Sequence, residues 1–143
     1  TMRPLPRGIR NNNPGNLNYA GQAGAHKEPE PHGRFAVFPT AQDGLRALRD
    51  QLLRYVERDR VNTIAGIIAK WAPPTDGNDT SAYAATVAAR VGIGVQQRFN
   101  ALTPDQLTAL MHAIIRVENG QDPYGTLVDR VAHEAVRPSP TMT

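Results

Sequence analysis

Thr103-Pro104-Asp105-Gln106 constrains this chain more than any other four residues. A threonine at the N-cap and a glutamine three residues later satisfy two otherwise unpaired backbone donors reciprocally. Proline between them presets the first helical φ. Behind this box Leu107, Leu110, Met111, Ile114 and Ile115 recur at three- and four-residue spacing. That is the stripe of a helix packed on a core. The pattern predicts a helix from Pro104 to Glu118, ended by Asn119-Gly120, where glycine takes the left-handed C-terminal conformation. Such a helix needs other helices to cover its apolar face.

The chain supplies them. Thr40 caps a helix carrying Leu45, Leu48, Leu52, Tyr55 and Val56 as far as Arg58. Asn62 is read as the cap of a second helix, Thr63 to Trp71, which Pro73-Pro74 stops. Asp79 or Thr80 opens a third, from Ser81 to Arg90, ending at Gly92, and Thr126 to Ala135 forms a short last helix. Residues 7–39 carry turn chemistry instead. Asn13-Pro14-Gly15-Asn16 reads as a type II turn with Gly15 at positive φ. Arg34 to Phe38 is the best strand, expected to pair with Leu17 to Gln22. The expected fold is mainly α (α+β), a single helical domain over residues 7–136 with a small N-terminal hairpin. Residues 1–6 and 137–143 are expected to be tails.

Composition narrows the function classes. The 143 residues contain no cysteine, which excludes disulfides, thiol nucleophiles and thiolate zinc sites. No apolar run approaches the ~20 residues of a membrane span, and no signal-peptide pattern opens the chain. Membrane insertion is therefore not expected. Sixteen Lys+Arg against thirteen Asp+Glu leave a net charge of +3. That mild excess suits a polyanionic partner, either nucleic acid or cell wall.

One carboxylate stands out. Continuing the stripe of the capped helix, four residues after Ile114 and three after Ile115, gives Glu118. If the stripe faces the core, this carboxyl lies at the core's edge, in the last turn of a helix. Burial and the helix dipole there both disfavour an anion. A carboxyl kept neutral is what a general acid in glycoside cleavage requires. The competing reading is a solvated glutamate closing a helix.

The segment Ala113-Ile114-Ile115-Arg116-Val117-Glu118-Asn119-Gly120-Gln121-Asp122-Pro123-Tyr124 resembles the catalytic segment of lysozyme-like lytic transglycosylases. The whole chain resembles phage virion-associated and secreted bacterial peptidoglycan hydrolases over roughly residues 7–130. That resemblance runs through Arg10-Asn11-Asn12-Asn13-Pro14-Gly15-Asn16-Leu17, Phe35-Ala36-Val37-Phe38 leading into Gly44-Leu45-Arg46-Ala47-Leu48, Lys70-Trp71-Ala72-Pro73-Pro74 and Asn78-Asp79-Thr80-Ser81-Ala82-Tyr83. It implies a lysozyme-like fold and a muramidase or lytic transglycosylase in which Glu118 is the acid. In ordinary lysozyme-like enzymes the glutamate helix precedes the hairpin. Here the order is reversed, as in a circular permutation, so Glu118 is expected to return in space to the loop at residues 11–18.

The other candidates follow from that expectation. Asn11, Asn12 and Asn16 offer amides suited to sugar hydroxyls and acetamido groups, or serve the turn itself. Glu28 and Glu30 are candidates for a second carboxylate, against the alternative of a solvated loop. With His26 and His32 they match no standard metal-ligand spacing, so no metal and no cofactor is expected. Trp71, Tyr83 and Tyr124, and with them Tyr19, could form walls for sugar rings or pack as core. Arg46, Arg49, Arg54, Arg58 and Arg60 make the outer side of the first long helix basic; a solvated face is the default, wall contact the second reading.

The leading expectation is a peptidoglycan-degrading glycosidase acting on glycan strands in the periplasm. It would be delivered by phage lysis as an endolysin, within a virion, or as a secreted antibacterial effector, with a virion or secretion-system component or an immunity protein as further partners. The second is a non-catalytic wall-binding or virion module with the same fold. A nucleic-acid-binding domain ranks last, because no helix is densely basic and no aromatics are interleaved with arginines.

Overall fold

The computed structural model describes residues 4–135. The tail expectations for residues 1–3 and 137–143, and the domain's last residue at 136, lie outside them. Among the described residues the chain is mainly helical with one two-stranded sheet. The elements in chain order are α1 (Arg7–Arg10), β1 (His26–Lys27), β2 (Ala36–Val37), α2 (Ala41–Leu53), α3 (Ile64–Trp71), α4 (Thr80–Val91), α5 (Pro104–Asn119) and α6 (Thr126–Ala135).

Local chemistry sets the helix ends. The Thr103 hydroxyl accepts from Gln106 N while the Gln106 side chain accepts from Thr103 N, so α5 opens with the full reciprocal box. It closes at Gly120, φ 72°. Thr40 accepts from Asp43 N, and Asp79 from Ala82 N. The cap of α3 is Thr63, whose hydroxyl accepts from Gly66 N, and not Asn62. α2 does not run on to Arg58 as an α-helix. It widens to a π-helical turn at Arg54–Arg58.

Around α5, whose Leu107, Leu110, Met111, Ile114 and Ile115 are fully buried, pack α4 and α6. α2 lies on α6 and α3 on α4. Arg46 reaches Glu134 at 3.0 Å and Arg49 donates to the Val131 carbonyl at 3.1 Å, so two arginines of the basic face tie α2 to α6.

The N-terminal region departs from expectation in three ways. First, residues 7–10 form α1, which the turn-rich composition concealed. A Cβ on Gly8 would lie 2.5 Å from Asn119 Oδ1 and 2.8 Å from Asn16 Oδ1, so only glycine lets α1 approach α5 this closely. Second, β2 pairs with β1, His26 opposite Val37, whereas the expected partner segment contributes a single bridge, Asn18 to Phe35. Third, the turn at residues 13–16 is closed by Asn16 N to Asn13 O at 2.9 Å, but the left-handed residue is Asn16, φ 53°, rather than Gly15. Gly15 is present for a different reason: a Cβ there would lie 2.8 Å from the Trp71 ring. Packing against an aromatic, not turn geometry, requires the glycine.

Candidate functional site

Glu118 lies on the last turn of α5 and is partly buried. Its Oε1 accepts from the Asn16 amide at 2.8 Å and its Oε2 from the Tyr83 hydroxyl at 2.9 Å. Three distant parts of the chain thus meet at one carboxyl: the turn after α1, the first turn of α4 and the end of α5. The meeting is held from behind by Asn119. Its amide donates to the Pro14 carbonyl at 2.8 Å and to the Ile115 carbonyl at 3.0 Å, clamping the asparagine-rich loop onto the helix. In sequence Asn119 reads only as part of the Asn119-Gly120 helix end. Its signal was the same stripe: it stands four residues after Ile115 and is buried.

The carboxyl opens into a hollow of about 190 Å³ whose walls include Asn16, Asn18, Arg34, Trp71, Asp76 and Asn78. Each Glu118 oxygen accepts one bond and has capacity for another. Tyr83 is buried beneath, and burial, then the nearby Glu118 charge, push its hydroxyl far above the ordinary tyrosine range. It stays a neutral donor at any working pH. Arg34 donates to Asn18 Oδ1 at 3.0 Å and lies over the Phe35 ring, which fixes that wall. The hollow thus presents a hydrogen-bonded carboxyl, a rim of amides and one large aromatic face.

The other sequence-derived candidates divide. Asn16, Trp71 and Tyr83 come to Glu118 or its hollow. Asn11, Asn12 and Tyr124 do not line it. Asn11 donates to Glu28 at 2.8 Å, and Asn12, at φ 51°, donates to the Phe38 carbonyl at 3.1 Å. Their amides hold the loop together. Tyr124 packs against the core with its hydroxyl buried, and burial together with the Asp122 charge pushes it up to about 12. Tyr19 is exposed.

Neither Glu28 nor Glu30 lines the hollow. Glu28 is buried and its oxygens are consumed: Arg7 and the backbone amides of Arg34 and Phe35 reach Oε1, and Arg7 Nε and Asn11 reach Oε2. The Arg7 guanidinium and these other donors hold its carboxyl well below the usual carboxylate range. It is the fastener of the N-terminal region. Glu30 is exposed and pairs with Lys27 at 2.7 Å. The two carboxylates read as second acids are thus structural and solvent-facing, and the second carboxylate at the hollow is Asp76, on the 3-10 turn Pro74–Asp76. Among the described residues no group of three or more His, Asp or Glu is placed to hold a metal ion, and no helix is long and apolar enough to cross a membrane.

No family model matches the chain. It is similar to Protein P5 of Pseudoalteromonas phage PM2, with 38% identity over 122 residues, covering 82% of this chain and 74% of that protein.

Proposed function

We infer that this chain, which belongs to the family of Protein P5 of Pseudoalteromonas phage PM2, is a peptidoglycan glycosidase cleaving the β-1,4 bond between N-acetylmuramic acid and N-acetylglucosamine. The observation that carries the reading is the Glu118 carboxyl, fixed at both oxygens by Asn16 and Tyr83 and lining a hollow rimmed by amides and Trp71. Glu118 gives its proton to the glycosidic oxygen as the C1–O bond breaks. The glycosyl cation is then captured by water, leaving a reducing end, or by the sugar's own C6 hydroxyl, leaving a 1,6-anhydro end. In either case the proton lost by the attacking oxygen restores the acid. The rim amides suit acetamido groups and hydroxyls, and Trp71 offers a stacking face for a sugar ring.

The test is direct. Purified sacculi incubated with the protein lose turbidity and release disaccharide-peptides whose masses distinguish reducing from anhydro ends. Sacculi that stay turbid and release no sugars remove the reading, and retention of the protein on them would then identify a wall-binding module.

Tyr83 acts through Glu118 and is a positioning residue. Tyr83→Phe removes one charge-assisted hydrogen bond, so kcat is expected to fall about tenfold. KM and the melting temperature are expected to stay near wild type. A parallel loss of thermal stability would make the hydroxyl a structural group instead.

A further inference from the structure

Two buried side-chain oxygens beside Glu118, Asn16 Oδ1 and Asn119 Oδ1, have no hydrogen-bond partner among the described residues. Both converge on Gly8. They lie 2.8 Å and 2.5 Å from the point a Cβ there would occupy, and the Asn13 carbonyl oxygen is 2.8 Å from the same point. Three acceptors thus meet with only the C–H groups of Gly8 between them, and those are weak donors. The Asn119 amide is locked. Its nitrogen donates to the Pro14 and Ile115 carbonyls at 2.8 Å and 3.0 Å, and reversal would set its oxygen against both. The Asn16 nitrogen makes a single bond, to Glu118 Oε1 at 2.8 Å. That bond fits an ionised carboxylate, which only accepts. A protonated carboxyl needs an acceptor for its O–H. Tyr83 serves poorly as that acceptor. Its hydroxyl is buried and donates to Glu118 Oε2 at 2.9 Å. Receiving a proton from Oε2 would leave its own hydrogen unpaired.

We propose that Asn16 is a positioning residue whose side-chain amide turns over as Glu118 gains or loses its proton. With Glu118 ionised, the Asn16 NH2 faces Oε1, as in the structure. With Glu118 protonated, the Asn16 oxygen accepts from the Oε1 hydroxyl. The NH2 then takes the place of the unpaired oxygen, where Asn119 Oδ1 and the Asn13 carbonyl converge. One rotation about a soft terminal torsion pairs both orphaned oxygens and seats the acid proton on Oε1. The consequence for the reaction rests on the reading of Glu118 as the acid. The Oε1–H bond breaks, the proton passes to the glycosidic oxygen, and the returning NH2 stabilises the carboxylate left behind. The donor arrives only when the charge does.

The test is nuclear magnetic resonance on the isotope-labelled chain, followed from neutral pH downwards while the fold holds. The readout is cross-relaxation between the Asn16 NH2 protons and the Gly8 Hα protons. It is expected to be absent while the Glu118 Cδ resonance reports a carboxylate. It is expected to appear as that resonance moves to the acid form, with the same midpoint. The titratable and charged groups around the carboxyl are Tyr83 on α4 and, on the walls of the hollow, Arg34 and Asp76. Tyr83 stays neutral and an arginine stays cationic, so Asp76 is the group to separate from Glu118. The response is expected to persist in Asp76→Asn and to lose its pH dependence in Glu118→Gln. The opposite result in either variant overturns the turn. So does a contact that is absent, or present, at every pH in wild type, and so does a Glu118 that takes up no proton before the fold opens. The two readings fail separately. A chain that clears sacculi with a fixed amide loses the turn alone. A chain whose amide turns but which clears nothing loses the glycosidase.

Discussion

Glu118→Gln is expected to abolish the clearing of sacculi, lowering the rate by a factor on the order of 10² to 10⁴. The substitution is nearly isosteric. Its amide oxygen can still accept from Asn16 or from Tyr83, which hold the carboxyl at 2.8 Å and 2.9 Å, so the fold and the sugar affinity should survive. What it loses is the proton that a carboxylic acid can give to a leaving oxygen. The decisive comparison is therefore turbidity loss and released saccharide against sacculus binding and melting temperature. Clearing at the wild-type rate would remove Glu118 as the acid. Loss of binding together with clearing would give the carboxyl a structural role.

The largest expected effect on stability is at Glu28. Its buried carboxylate accepts two bonds from Arg7, one from Asn11 and one each from the backbone amides of Arg34 and Phe35. Glu28→Gln breaks the ion pair and turns one acceptor into a donor facing donors. The cost is about 2 to 4 kcal/mol, below the full penalty for a broken buried pair because Arg7 can turn to solvent. The melting temperature should fall by roughly 8 °C. The pH dependence identifies the cause. The folded carboxyl sits below the ordinary range, so on acidification the unfolded chain takes up its proton first. The stabilisation is complete above about pH 5 and drains away as the pH falls below roughly 4. Wild type and Glu28→Gln should therefore converge in stability as pH is lowered from 6 towards 3. Parallel curves over that interval would mean that the pair contributes packing and not charge.

How far sequence carried each part depended on the range of the interactions involved. The start of α5 was legible to the residue, because a capping box and a proline act within one turn. For α4 the end at Gly92 was legible, while the cap was narrowed only to Asp79 or Thr80, of which the fold uses Asp79. The N-terminal region was misread where partners are remote. Gly15 looked like a turn glycine, yet Trp71 is what requires it. Glu28 looked like a loop carboxylate, yet Arg7, 21 residues away, makes it a fastener. Asn11 and Asn12 looked available for sugars and are spent on the loop itself. Asp76 gave no local signal, since an aspartate in a proline-stopped turn looks like ordinary surface.

The sequence by itself placed the five longer helices, though not α1 or the π-helical turn after α2, and put Glu118 at the end of an apolar stripe, because caps and 3.6-residue periodicity are local chemistry. It also determined the absence of thiols. Only the tertiary structure decided what Glu118 faces. Asn16 lies 102 residues and Tyr83 35 residues away along the chain, and packing of α4 and α5, with the Asn119 clamp on Pro14, brings them to one carboxyl. Contacts between remote side chains depend on how whole helices pack, and no spacing rule within a single segment encodes that.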